Sequence, residues 1–197
     1  MSATQVLSVI FDPQKNVMQK TMKKIIFTFG SIAGAIVVAM VFITFPLYEN
    51  GTLNFDNGEW LGYTSMVIAL SLIFFGVKSY RDNHLGGTIK FGKAFQVGLL
   101  IAVVASLFYA IGWEVYLNRF VPDFMEQYSN HYIEKAKASG ARTAEIQKIV
   151  NEINNAKEMY KNPFLRFGIT LSEIFPVGLV IALISAVILR KKEILPV

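Results

Sequence analysis

The stretch IIFTFGSIAGAIVVAMVFITFPLY, Ile25 to Tyr48, decides the fold: 24 residues without a charge, entered through Lys23-Lys24 and left through Glu49. At about 1.5 Å of rise per residue a helix of this length covers roughly 36 Å, enough to cross a hydrocarbon core of about 30 Å with some tilt. The run is about twice the length of a signal-peptide core, and no A-x-A cleavage site ends it. It reads as a retained span. Met1, Met18 and Met22 are each candidate start residues.

Three more such runs lie further along the chain. Leu61 to Val77 is flanked by Trp60, Tyr63 and Tyr80, side chains suited to a membrane interface. Ala94 to Trp113 is followed closely by Tyr116, and Phe167 to Leu189 contains a single charge, Glu173. Only 17% of the 197 residues are charged, against about 25% in an ordinary soluble domain. The composition excludes a disordered chain and a soluble α/β enzyme. The absence of cysteine excludes disulfides and thiolate metal sites. The expectation is an all-α integral membrane protein with spans of about 25–48, 61–77, 94–116 and 164–189.

Orientation follows from the connecting segments. Lys15, Lys20, Lys23 and Lys24 precede the first run, and Lys78, Arg81, Lys90 and Lys93 join the second to the third. Arg190-Lys191-Lys192 follows the fourth, whereas the first connection carries Glu49, Asp56 and Glu59 and no base. Excess Lys and Arg marks the cytoplasmic side. Residues 1–24 and the tail 193–197 are thus expected in the cytoplasm, flanking a membrane domain at 25–192.

The long third connection has a helical pattern and is expected as an extracytoplasmic αα-hairpin over 123–161. Asp123 with Glu126 suggests a capping box, Gly140 suits a left-handed helix end, and Thr143 is placed to cap the second helix. Pro163 leads into the last span.

Functional signals are sparse. Gly87-Thr88-Ile89-Lys90-Phe91-Gly92-Lys93-Ala94 nearly fits a phosphate loop but has Ala94 where a hydroxyl is required, and it follows a membrane run instead of a strand. Neither nucleotide nor nucleic acid is expected. Lys90, Lys93, Arg81 and Gly87 remain candidates for contact with a lipid phosphate. Ala94, Gly98, Ala102, Ser106 and Ala110 recur every four residues, a spacing that lets helices approach closely in lipid. The bland use is packing within the chain; a homodimer or a membrane-protein partner is the other. Glu173, with Ser172 beside it, and Glu114, one step beyond Ala110, are intramembrane carboxylates and so candidate sites. Tyr109, Trp113 and Ser172 are their expected neighbours. If Glu114 and Glu173 meet, the pair would share a proton. His84 and His131 fall on opposite sides, so no metal centre or other cofactor is expected.

Tyr80-Arg81-Asp82-Asn83-His84-Leu85-Gly86-Gly87, continuing through Phe91-Gly92-Lys93-Ala94-Phe95, resembles the core signature of a bacterial membrane-protein family, domain of unknown function 4199. Pro122-Asp123-Phe124-Met125 and Glu173-Ile174-Phe175-Pro176-Val177-Gly178 resemble it too, and the likeness covers about residues 22–192. The resemblance implies a four-span protein of the bacterial cytoplasmic membrane and no particular activity. Without a catalytic constellation, the leading expectation is a non-enzymatic scaffold, subunit or accessory factor acting through protein or lipid contacts. The alternative is a small proton- or ion-coupled transporter using the intramembrane carboxylates.

Overall fold

The computed structural model describes residues 13–191. The N-terminal segment before residue 13, including a start at Met1, and the tail at 193–197 lie outside the described residues. Seven helices are found among the described residues: α1 (Pro13–Glu49), α2 (Phe55–Leu70), α3 (Leu72–His84), α4 (Phe91–Arg119), α5 (Phe124–Ala138), α6 (Thr143–Lys161) and α7 (Pro163–Leu189). There is no strand among them. Four helical stretches are long and apolar enough to cross a membrane, α2 and α3 together forming one of 30 residues. Their outward faces carry large apolar side chains such as Phe27, Ile43, Ile68, Ile111 and Ile188. A soluble protein would bury such residues; a bilayer solvates them.

α4 is the spine, packed between α1 on one side and α7 on the other. The small residues expected as a packing stripe, Ala94, Gly98, Ala102, Ser106 and Ala110, are all buried. The approach is close enough that glycine is required on the facing helices. A Cβ at Gly34 would stand 2.4 Å from Phe108 Cβ and 2.8 Å from the Ala105 carbonyl oxygen. One at Gly178 would stand 2.8 Å from Ala102 Cβ. Around this spine Leu70, Ile73, Val77 and Tyr80 pack with Ile101 and Ile174.

The second apolar run is not one uniform helix. At Ser71 the ladder tightens: Phe74 N–H donates to the Ser71 carbonyl at 3.0 Å, and Ser71 Oγ donates to the Ile68 carbonyl at 2.6 Å. The two pieces then pack differently. α3 lies against α1, α4 and α7, whereas α2 packs on α1 and α7 and stands off α4. The run also starts earlier than hydropathy suggests. Asn54 Oδ1 accepts from Asp56 N–H and Asn57 N–H, and Asn57 Oδ1 accepts from Asn54 N–H, a reciprocal cap on α2.

α5 and α6 form the hairpin. α5 ends where Gly140 takes φ +73°, with Gly140 N–H donating to the Lys137 carbonyl and Ala141 N–H to that of Ala136. The two expected N-caps are realised differently. Asp123 caps no backbone group and instead accepts from Gln127 Nε2 at 3.0 Å. Thr143 is already inside α6; the cap residue is Arg142, whose N–H donates to Glu145 Oε2 at 3.0 Å. At α6 the Glu145 side chain reaches back to the terminus, whereas at α5 Gln127 donates to the Asp123 carboxylate and the expected Asp123–Glu126 capping box is not formed. Asn162 caps α7, accepting from Phe164 N–H at 2.9 Å, with Pro163 in the first turn.

At the end of the bundle where α7 stops, Ile89 and Lys191 exchange backbone hydrogen bonds of 3.1 and 3.0 Å, and Arg81 Nη1 donates to the Leu189 carbonyl. At the other end, Lys135 of α5 pairs with Asp56 of α2, and His131 Nε2 lies 3.3 Å from the same carboxylate. These contacts pin the hairpin over the start of α2.

Candidate functional site

Where α2 stands off α4, a cavity of about 740 Å³ remains. Its walls are α1, α2, α4 and α7, and α5 forms the roof with Tyr160 of α6. The volume lies within the range of about 300–1,000 Å³ typical of small-molecule sites. Twelve of the 28 lining residues are aromatic, and no Lys, Arg or His is among them. Phe55, the first residue of α2, holds the roof: its ring meets Phe124 at 5.8 Å and Tyr128 at 5.6 Å, both edge to face. Trp113 stacks on Tyr116 at 5.3 Å and meets Phe124 edge-on at 5.4 Å. Such pairings favour defined ring orientations beyond simple area burial.

Glu173 and Glu59 both line this space. Glu173 reaches it from α7 with Ile169, one turn earlier, on the same wall. Glu59 reaches it from α2, where Gly62, Tyr63 and Met66 follow at three, four and seven residues on the same helix face. The two carboxylates lie close enough for the charge of one to act on the other. Burial, and secondarily the Glu173 carboxylate, pushes the Tyr160 phenol up to about 12. Burial also raises Tyr128. The rings at the roof therefore stay neutral. The wall hydroxyls of Thr44 and Ser65 are engaged with carbonyls of their own helices, Thr44 with Met40 and Ser65 with Leu61.

The residues singled out in the sequence are distributed as follows. Tyr109 and Trp113 line the cavity together with Glu173. Ser172 does not: its Oγ donates to the Ile169 carbonyl, and it lies with Ser106 on a separate shallow groove. Glu114 does not pair with Glu173. It is held in a two-pronged ion pair by Arg166, Nε to Oε1 at 2.8 Å and Nη2 to Oε2, while Arg166 Nη1 donates to the Tyr160 carbonyl. The expected shared proton is replaced by a charge-assisted pair joining α4 to α7, because a guanidinium supplies both hydrogen bonds that a carboxylate needs. Arg166 was missed, although it immediately precedes the fourth run and lies seven residues, two turns, before Glu173. Glu59 was read only as a loop charge; its three, four and seven spacing to Gly62, Tyr63 and Met66 is the signal that places it on a face.

The candidate phosphate contacts have separate roles. Arg81 is engaged by Asp82 and the Leu189 carbonyl, Gly87 turns the chain at φ +83°, and Lys93 Nζ donates to Gln96 Oε1 at 3.2 Å. Lys90 is exposed at the start of α4.

The fold and the site together define a helical membrane protein with four candidate spans and a roofed aromatic cavity at the hairpin end. The chain belongs to the DUF4199 family of proteins of unknown function, whose profile matches residues 28–191. No curated protein and no solved structure matches it.

Proposed function

We propose that this chain is a non-enzymatic small-molecule-binding protein of the bacterial cytoplasmic membrane, with both termini cytoplasmic and the cavity end facing outward. One observation carries the binding reading: a cavity of about 740 Å³ whose wall is aromatic and whose two carboxylates, Glu59 and Glu173, are paired with no base among the described residues. A scaffold working only through its outer faces needs no such space. The non-enzymatic reading is supported by the engagement of the two aliphatic wall hydroxyls, Thr44 and Ser65, with backbone carbonyls of their own helices. The outward orientation is supported by the Lys and Arg excess of the segments at the opposite end.

Binding is tested with a neutral aromatic probe, triphenylphosphine oxide, on protein in phosphatidylcholine nanodiscs. Trp113 is the reporter after Trp60→Phe, Trp60 being 78% exposed and outside the cavity wall. Saturable quenching is expected, and Gly62→Phe and Thr44→Phe, which each place a ring in the space, should weaken it at least about tenfold, a loss of about 1.4 kcal/mol. Quenching that never saturates, or that both variants leave unchanged, overturns the reading.

A further inference from the structure

The class of molecule bound follows from the charges and rings of the cavity, and this inference rests on the binding reading above. Asp56 and Glu114, the other carboxylates on α2 and α4 at this end, each have a base: Lys135 and Arg166. Glu59 and Glu173 have neither an ion-pair nor a hydrogen-bond partner among the described residues, and both face the cavity. Both side chains are exposed at the cavity surface, so they present negative charge with no counter-charge to whatever enters, and a cation is favoured there over an anion.

A second, independent observation points to an occupant of this space. Tyr109 is only 5% exposed, yet it lines the cavity with a hydroxyl that has no hydrogen-bond partner among the described residues. Rings from α1, α2, α4, α5 and α6, including Phe45, Tyr63, Trp113, Tyr128 and Tyr160, present surfaces that attract positive charge and accommodate apolar substituents. Anions meet two like charges here and no basic residue. A zwitterionic phospholipid headgroup would bring its phosphate against Glu59 and Glu173, so it is disfavoured as well. We infer that the cavity is a site for an amphipathic organic cation: an amine, quaternary ammonium or phosphonium ion bearing apolar groups and no acid.

Three probes of related shape separate charge from fit in the same Trp113 assay: tetraphenylphosphonium, tetraphenylborate and neutral triphenylphosphine oxide. Phosphatidylcholine nanodiscs without protein supply the partition baseline for each. Tetraphenylphosphonium should bind at least about tenfold tighter than the oxide, and tetraphenylborate more weakly than either. Glu59→Gln and Glu173→Gln keep shape and remove charge. Each should lower the ratio of phosphonium to oxide affinity about tenfold, and saturable oxide binding that persists in the variant shows that it is folded. If one variant loses oxide binding through misfolding, the other decides. Borate binding as tight as that of the phosphonium, or a cation preference intact in the double variant, overturns the inference. Loss of all three probes in the wild type overturns the binding reading itself, a different result.

Discussion

The Glu114–Arg166 pair shows how a charge in an apolar helix is made tolerable. Their side chains are only 20% and 15% exposed, so neither is well hydrated, and the two-pronged geometry provides the hydrogen bonds that water would otherwise give. Removing one partner leaves the other stranded. Arg166→Leu should therefore destabilise the protein by about 1–3 kcal/mol, between the cost for an exposed pair and that for a fully buried one. The double variant Glu114→Leu/Arg166→Leu should recover much of this loss. Thermal unfolding in mild detergent measures these together with Glu114→Leu alone, and a double-variant loss equal to the sum of the two single losses would show that the pair contributes no coupling. Glu173 and Glu59 differ from Glu114 in lacking a base, and that difference, not their depth, makes them the candidate site.

At the scale of elements, helix contact in this bundle is set by what the backbone lacks. Gly34 lets α1 approach α4 to the point where an added methyl would collide with Phe108 Cβ and the Ala105 carbonyl. Gly34→Ala should force the helices apart and lower stability by about 1–3 kcal/mol, the usual cost of overpacking. Gly168→Ala, on α7 where an added Cβ meets nothing within 4 Å, should be neutral or stabilising by up to about 1 kcal/mol through helix propensity. Parallel melting curves test the contrast; equal effects would mean that the α1–α4 approach is not tight. The interruption at Ser71 acts at the same scale. Its tightened turn lets α3 stay in the packed core while α2 leaves α4, and the cavity occupies the space that results.

At the scale of the molecule, the two ends of the bundle are different in kind. The end where α7 stops is basic and closed by the Ile89–Lys191 backbone pair; the hairpin end carries the two unpaired carboxylates and the roof. In the cysteine-free chain, Ser139→Cys on the hairpin and Asn83→Cys near the end of α3, both at exposed positions, report orientation directly. A membrane-impermeant thiol reagent should label position 139 in spheroplasts and position 83 only after permeabilisation. The reverse pattern would invert the proposed topology and put the cavity on the cytoplasmic side.

What the sequence determined by itself was whatever a short window of residues controls. Four apolar runs of sufficient length, the hairpin with its turn at Gly140, the glycine turn at Gly86 and Gly87, and the small-residue stripe of α4 are local properties of length, spacing and backbone conformation. Glu173 and Tyr109 were also legible as candidates, since a polar group within an apolar run stands out in one dimension. Only the tertiary structure decided the partners. Arg166 lies 52 residues from Glu114, and Glu59 meets Glu173 across a space bounded by helices remote in sequence. Those meetings depend on the face each helix turns inward. Glycine contacts at Gly34 and Gly178 and the departure of α2 from α4 beyond Ser71 set those faces; four-residue spacings such as Gly30–Gly34 and Gly178–Ala182 mark a close-packing face but not the helix that it meets.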